Sequence, residues 1–217
     1  MHPKFYITFI LHLFFCQIIF GQVFSFITQE NGQDIQHRIL MDDEYFVETQ
    51  FTTKPNQFIK TIGGFYHKKG NNLMVALEFN SNFSNDSIKH IVINDQDRWK
   101  EISKTNLPLQ GKWLMAGRVN GHQERRTDTN RPRKTMKILI EGFFQWIAHN
   151  TESFSFHGTG GGTYTAKDGS YTEMIDYFSR DNNKVGISLD FEYAKKGMDW
   201  HHQGFSSKGD PLHEIWT

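Results

Sequence analysis

"KVGISLDFEY", residues 184–193, sets Val185, Ile187, Leu189, Phe191 and Tyr193 in alternation with Gly186, Ser188, Asp190 and Glu192. Successive side chains on a β-strand point to opposite faces, so this segment reads as a strand with one face in a core and one in water. Working outward from it, further strand-like segments fall at 112–119, 135–140, 143–149, 161–166, 170–179, 198–205 and 213–216, with this one extending over 184–194. Glu141-Gly142 and Lys167-Asp168-Gly169 are hairpin material between them. No segment carries the period of a long amphipathic helix. Short strands joined in order by tight turns predict an antiparallel up-and-down meander that closes into a barrel and so hides its edges.

The chain also repeats itself. Adding 98 to a position in the first half superposes Tyr45-Phe46 on Phe143-Phe144, Phe58 on Phe156, Gly63-Gly64 on Gly161-Gly162, Tyr66 on Tyr164 and Lys69 on Lys167. Leu40-Met41 falls on Ile138-Leu139, and "LMVALEF" falls on "YTEMIDY". Nearer the start of each copy the offset is 89, because the second copy gains nine residues within "GHQERRTDTNRPRKT", residues 121–135. That insertion is polar and basic and reads as a strand-free excursion into water or as a lid or partner-binding loop. The expected organisation is a leader at 1–22, a first repeat at 23–106 and a second at 111–217, joined through "NLPLQG". The first repeat is the shorter: "INDQDRWKEI" stands where the second has two more strands, which predicts an incomplete barrel.

The paired glycines raise the question of a phosphate loop. "TIGGFYHKKG" and "GTGGGTYTAKDG" share two glycines, a tyrosine and a lysine, and neither opens a helix whose amide end could face a phosphate. What the copies share is a backbone need, a bend or bulge that a side chain would obstruct. No cofactor is expected.

With 24 basic and 24 acidic side chains the net charge is zero, which argues against nucleic acid or an anionic membrane surface as a partner. The N-terminus, with Lys4 followed by an apolar run to Phe20 and then Gly21, reads as a secretory signal peptide. Cleavage near Gly21 or Gln22 would leave no membrane span, and would remove Cys16, the only cysteine. The mature chain would then be secreted or periplasmic, without disulfide, thiol nucleophile or cysteine metal ligand.

The order "GKW", "NG", "KILIEGFFQW", "GTGGGTYT", "YTEMIDYFSRD", "VGISL", "DWHHQG", "DPLHEIW" resembles the lipocalin-like, calycin-type domain of an uncharacterised bacterial family of secreted proteins. The resemblance covers essentially all of residues 111–217 and, more weakly, 23–104. It implies a small β-barrel and an exported location, and it brings no activity with it.

Strand parity singles out candidate residues. Leu73, Val75, Leu77 and Phe79 form the expected core face of one strand in the first copy, and Tyr171, Glu173, Ile175 and Tyr177 replace them in the second. A buried carboxylate needs hydrogen bonds or a charge partner. Glu173 therefore belongs either to a structural network or, with Tyr171, Tyr177, Tyr164, Trp146, Trp200 and His202, to the lining of a ligand cavity. His201 and His202 are adjacent on a strand and face opposite ways, so no metal site is expected. Glu173 and Asp176, three apart, likewise cannot flank one bond, and no catalytic residue is assigned. The expected function is non-enzymatic binding of a small, partly apolar or amphipathic ligand in the second barrel. The alternatives are a structural or protein-interaction module of the cell envelope with filled barrels, and a small hydrolase or isomerase. The sequence does not point to a particular protein partner.

Overall fold

The computed structural model describes residues 21–103 and 106–217, so all but the last two positions of the expected leader lie outside the described residues. The described chain is all-β. The first unit runs β1 (Gln22–Glu30), β2 (Gln33–Met41), β3 (Tyr45–Thr53), β4 (Asn56–Lys69), β5 (Asn72–Asn80), a one-turn helix α1 (Phe83–Asp86), β6 (His90–Ile93) and β7 (Lys100–Glu101). The second runs β8 (Gly111–Asn120), β9 (Gln123–Arg126), β10 (Arg133–Ile140), β11 (Phe143–Asn150), β12 (Phe156–Lys167), β13 (Ser170–Phe178), a 3-10 turn (Asn182–Lys184), β14 (Ser188–Lys196), β15 (Asp199–Phe205) and β16 (Pro211–Trp216).

In the second unit every neighbouring pair from β10 to β16 is antiparallel, and β8 pairs with both β16 and β10. Eight strands thus close a barrel, and β9 folds back on β8 as a hairpin. In the first unit β1 to β6 form the same meander, β7 pairs with β1, and the sheet stays open between β6 and β7. The missing length at "INDQDRWKEI" is what leaves it open, since a four-residue and a two-residue strand stand where β14 to β16 close the barrel. Two expectations change. The insertion is not strand-free, because Gln123–Arg126 pairs with β8. The strand expected from residue 184 begins at Ser188: Lys184 ends a 3-10 turn in which the Asn183 amide bonds Asp181, and residues 185–187 lie between that turn and the strand.

The paired glycines lie in mid-strand, and both copies use them for the same bulge. In β4 and β5, Gly63 faces Phe79 and Gly64 faces Leu77, so Glu78 is left over. In β12 and β13, Gly161 faces Tyr177 and Gly162 faces Ile175, so Asp176 is left over. A Cβ on Gly64 would lie 2.0 Å from the Ala76 carbonyl oxygen, and one on Gly162 would lie 1.9 Å from that of Met174. Only glycine admits so close a backbone.

The bulge reverses the parity beyond it. Tyr171, Glu173 and Ile175 face the barrel interior, whereas Tyr177 faces the first unit, as Phe79 faces the second. The expectation that Tyr177 and Phe79 continue the inner face is therefore corrected.

The units pack through β2 and β3 against β10 and β11, all four buried on both faces. Val23, Leu40, Tyr45, Val47 and Phe79 share one apolar cluster with Met136, Ile138, Ile140, Phe143 and Ile147. That is why "KILIEGFFQWIAH" shows no clean alternation. The contact has the reciprocity of a two-fold dimer interface. Phe58 stacks on its own equivalent, Phe156, at 6.1 Å. Phe51 meets Tyr177 at 4.9 Å while their equivalents, His149 and Phe79, meet at 5.2 Å. Buried Gln145 donates to Thr61 and to its equivalent Thr159, each at 3.0 Å, and Arg38 pairs with Asp176 across the same surface.

Candidate ligand cavity

One end of the barrel is closed by the linker between the units. Leu109 is buried in the barrel core, its carbonyl accepts the Trp113 indole N–H at 2.8 Å, and the Pro108 carbonyl accepts the Tyr164 hydroxyl at 3.3 Å. Above this plug, Trp113, Tyr164, Tyr171 and Trp200 pack edge to face or tilted against one another. Beyond them a cavity of about 660 Å³ opens towards the other end. Its walls include Met115, Trp146, Ala148, Ile175, Phe178, Leu189 and Phe191.

The cavity floor is ionic. Lys137 donates to Glu173 at 2.8 Å, and the Tyr171 hydroxyl donates to the same carboxylate oxygen at 2.9 Å. Glu173 is only 4% exposed and Lys137 3%. The Lys137 ammonium also lies 5.0 Å from the Trp216 ring, 5.2 Å from Trp200 and 5.5 Å from Tyr171, close enough for cation–π attraction. Burial, and then the neighbouring carboxylate, hold the Tyr171 phenol well above its ordinary pKa, so it remains a neutral donor.

Beside this pair stands a second one. His202 Nδ1 is 3.6 Å from Glu214, whose other oxygen is 3.4 Å from Arg118. Burial and the Lys137 charge lower the His202 pKa and favour neutral imidazole. Burial also opposes the charge of Glu214, but His202, Lys137 and Arg118 outweigh it and hold the carboxyl below its usual range. Both ring nitrogens of His202 and the indole N–H groups of Trp200 and Trp216 are buried without a hydrogen-bond partner among the described residues. Such groups are rare in a filled core, because each costs the desolvation of an unmet donor or acceptor.

The structure divides the expected set. Glu173, Trp146 and His202 line the cavity. Tyr171 reaches it through its bond to Glu173, while Tyr164 and Trp200 belong to the packed closed end beneath the floor. Tyr177 is outside the barrel, its hydroxyl donating to Gln145 at 3.0 Å. Lys137, Phe178, Glu214 and Trp216 are lining residues that strand parity alone did not single out. Lys137 was legible in the repeat, since its equivalent is Ile39 as that of Glu173 is Val75, and those two share the apolar cluster of the first unit. Phe178 was hidden by the bulge, and Arg118 is turned inward by a second one, where Trp216 faces Met115 but Ile215 faces Gly117.

The first unit, whose expected core face on β5 is apolar, also buries a polar side chain on its concave face. His37, on the same face of β2 as Ile39, bonds Glu48 at 2.7 Å and Thr28 at 2.8 Å and stacks on Phe26. Trp99 of the same chain lies over part of that face, packing on Phe24 at 5.3 Å and Phe46 at 6.2 Å.

No protein-family model matches the chain, and no curated protein matches it. No group of three or more His, Cys, Asp and Glu side chains that could hold a metal ion occurs among the described residues. No described helix is long and apolar enough to cross a membrane, a statement that does not extend to strands.

Proposed function

We propose that the protein is an exported, non-enzymatic binding protein that holds a small, partly apolar ligand in the barrel of its second unit. The observation that carries the reading is the open cavity at the floor of which His202 and Trp216 keep unmet polar groups among aromatic walls. A cavity of this size suits a ligand of drug-like dimensions, and a few placed polar groups on an apolar lining are what orients such a ligand. The buried Lys137–Glu173 pair supports the same reading. An ion pair of this kind is seldom more stabilising than well-packed hydrophobic residues, and the first unit has Ile39 and Val75 at those positions. The apolar N-terminal run and the resemblance to secreted lipocalin-like domains support export.

Native mass spectrometry of protein purified from its own host tests the proposal. A retained small molecule, lost when the barrel is denatured, is the expected result. Protein that carries nothing and binds no apolar probe by calorimetry would overturn it in favour of a structural module.

A further inference from the structure

The chain carries no net charge, yet the charges around this cavity are far from balanced. Six cations surround its upper part: Arg118, Arg125, Arg131, Arg133, Arg180 and Lys184. With Lys137 on the floor, seven cationic side chains face two carboxylates, Glu173 and Glu214. Both carboxylates are already engaged, Glu173 by Lys137 and Glu214 by Arg118. Arg125, Arg131, Arg133 and Lys184 have no ion-pair partner among the described residues. Arg180 donates to the His157 carbonyl at 2.9 Å and lies 5.4 Å from the Trp146 ring, so its guanidinium is fixed beside the cavity wall. Asp128, in the same insertion, accepts the Asn130 amide; it is not part of the cavity lining but shares a small adjoining cleft with Arg131 and Arg133, with no ion pair to either.

The register explains how the cations converge. Arg133 shares the inner face of β10 with Thr135, Lys137 and Leu139. Arg125 lies opposite Arg118 on β9, whereas Arg126, the next residue, turns outward to Asp199 at 2.8 Å. The nine-residue insertion, absent from the first copy, thus delivers Arg125 and Arg131 to the mouth.

Resting on the reading that the cavity binds a ligand, we infer that the ligand is an amphipathic anion. Its apolar body occupies the barrel, and its oxyanion head, a carboxylate, sulfate or phosphate, sits among the mouth arginines. Guanidinium groups suit this task because their N–H forks match oxyanion geometry, and like charges gathered in a cleft raise the local concentration of an anionic ligand.

The test compares decanoate with decanol, which differ only in the head group, by tryptophan fluorescence and calorimetry at pH 7.5. Decanoate should bind roughly tenfold or more tightly at low salt, the advantage of a charge-assisted contact, and should lose most of that advantage in high salt. Arg131→Gln/Arg133→Gln, a change of exposed residues, should weaken decanoate about fivefold and leave decanol unaffected, while Arg98→Gln, on the first unit, should change neither. Equal binding of the two probes, or a double variant with undiminished preference, would overturn the inference while leaving the cavity reading intact. If neither probe binds, both fall.

Discussion

The two units place different chemistry at the same pair of positions. Ile39 and Val75 share the apolar cluster of the open sheet, and Lys137 and Glu173, 98 residues further on, form a buried ion pair on the floor of the closed barrel. The backbone is shared down to its irregularities: both copies bulge at the paired glycines, and both skip one residue earlier on the same strand, Ile59 between Phe58 and Lys60 and His157 between Phe156 and Gly158. An identical scaffold therefore supports either an apolar or an ionic pair at this depth. What differs is occupancy of the concavity, partly covered in one unit by Trp99 and open in the other as a cavity. The ionic pair accompanies the cavity, where the proposed ligand would meet it.

Breaking that pair should give the largest effect. Lys137→Ile or Glu173→Val alone leaves one buried charge without its partner and should destabilise by about 3–5 kcal/mol. The double variant, which installs the residues of the first copy, should recover most of this loss. Chemical denaturation of the four proteins measures it, and additivity of the two single losses would show that the pair is not a unit.

The second comparison is between Phe51 and His149, equivalent positions in the pseudo-two-fold interface. Burial lowers the His149 pKa from its ordinary 6.5 to about 4. The folded state resists a proton that the unfolded state accepts, so stability is fully present above about pH 6.5 and falls as the pH drops towards 4, by roughly 3 kcal/mol at about 1.4 kcal/mol per unit. His149→Phe should flatten that slope without abolishing it, because His202 is shifted the same way. Denaturation midpoints at pH 7 and pH 4.5 decide the matter, and an unchanged slope would refute the assignment.

Gly64→Ala and Gly162→Ala ask whether the shared bulge is equally demanding in both units. Each Cβ meets a carbonyl oxygen at 2.0 Å or less, so each should cost about 3 kcal/mol, with the open sheet and the barrel losing similar amounts. Thermal melts would reveal a tolerated alanine. The smallest effect belongs to Arg126→Ala. Its bonds to Glu124 and Asp199 lie at the surface, in contrast to the buried pair, so the change should be within about 1 kcal/mol.

Much of the fold was legible because a strand half in water declares itself by alternation, as Leu189 and Phe191 do in β14, and because Glu141-Gly142 and Asp168-Gly169 adopt the positive φ angles of tight hairpin turns. Legibility failed where both faces are buried. In β10 the periodicity of the run Met136–Ile140 does not show that Lys137 points into the barrel while Met136 and Ile138 meet the other unit; only comparison with Ile39 of the first copy bears on it. It failed again at bulges, where one extra residue sends Tyr177 out and Phe178 in. The short β9, charged at three of its four positions, had no apolar face to announce it.

The amino-acid sequence by itself determined most of the strands and turns, which follow from the local chemistry of neighbouring residues, and the duplication and the carboxylate at position 173, which follow from comparing the two copies. Only the tertiary structure decided that Lys137 meets that carboxylate, that the linker plugs one end of the barrel and that arginines from β8, β9, β10 and the insertion converge on the other. Those outcomes depend on sheet closure and register, which bring distant residues together and leave no periodic trace along the chain.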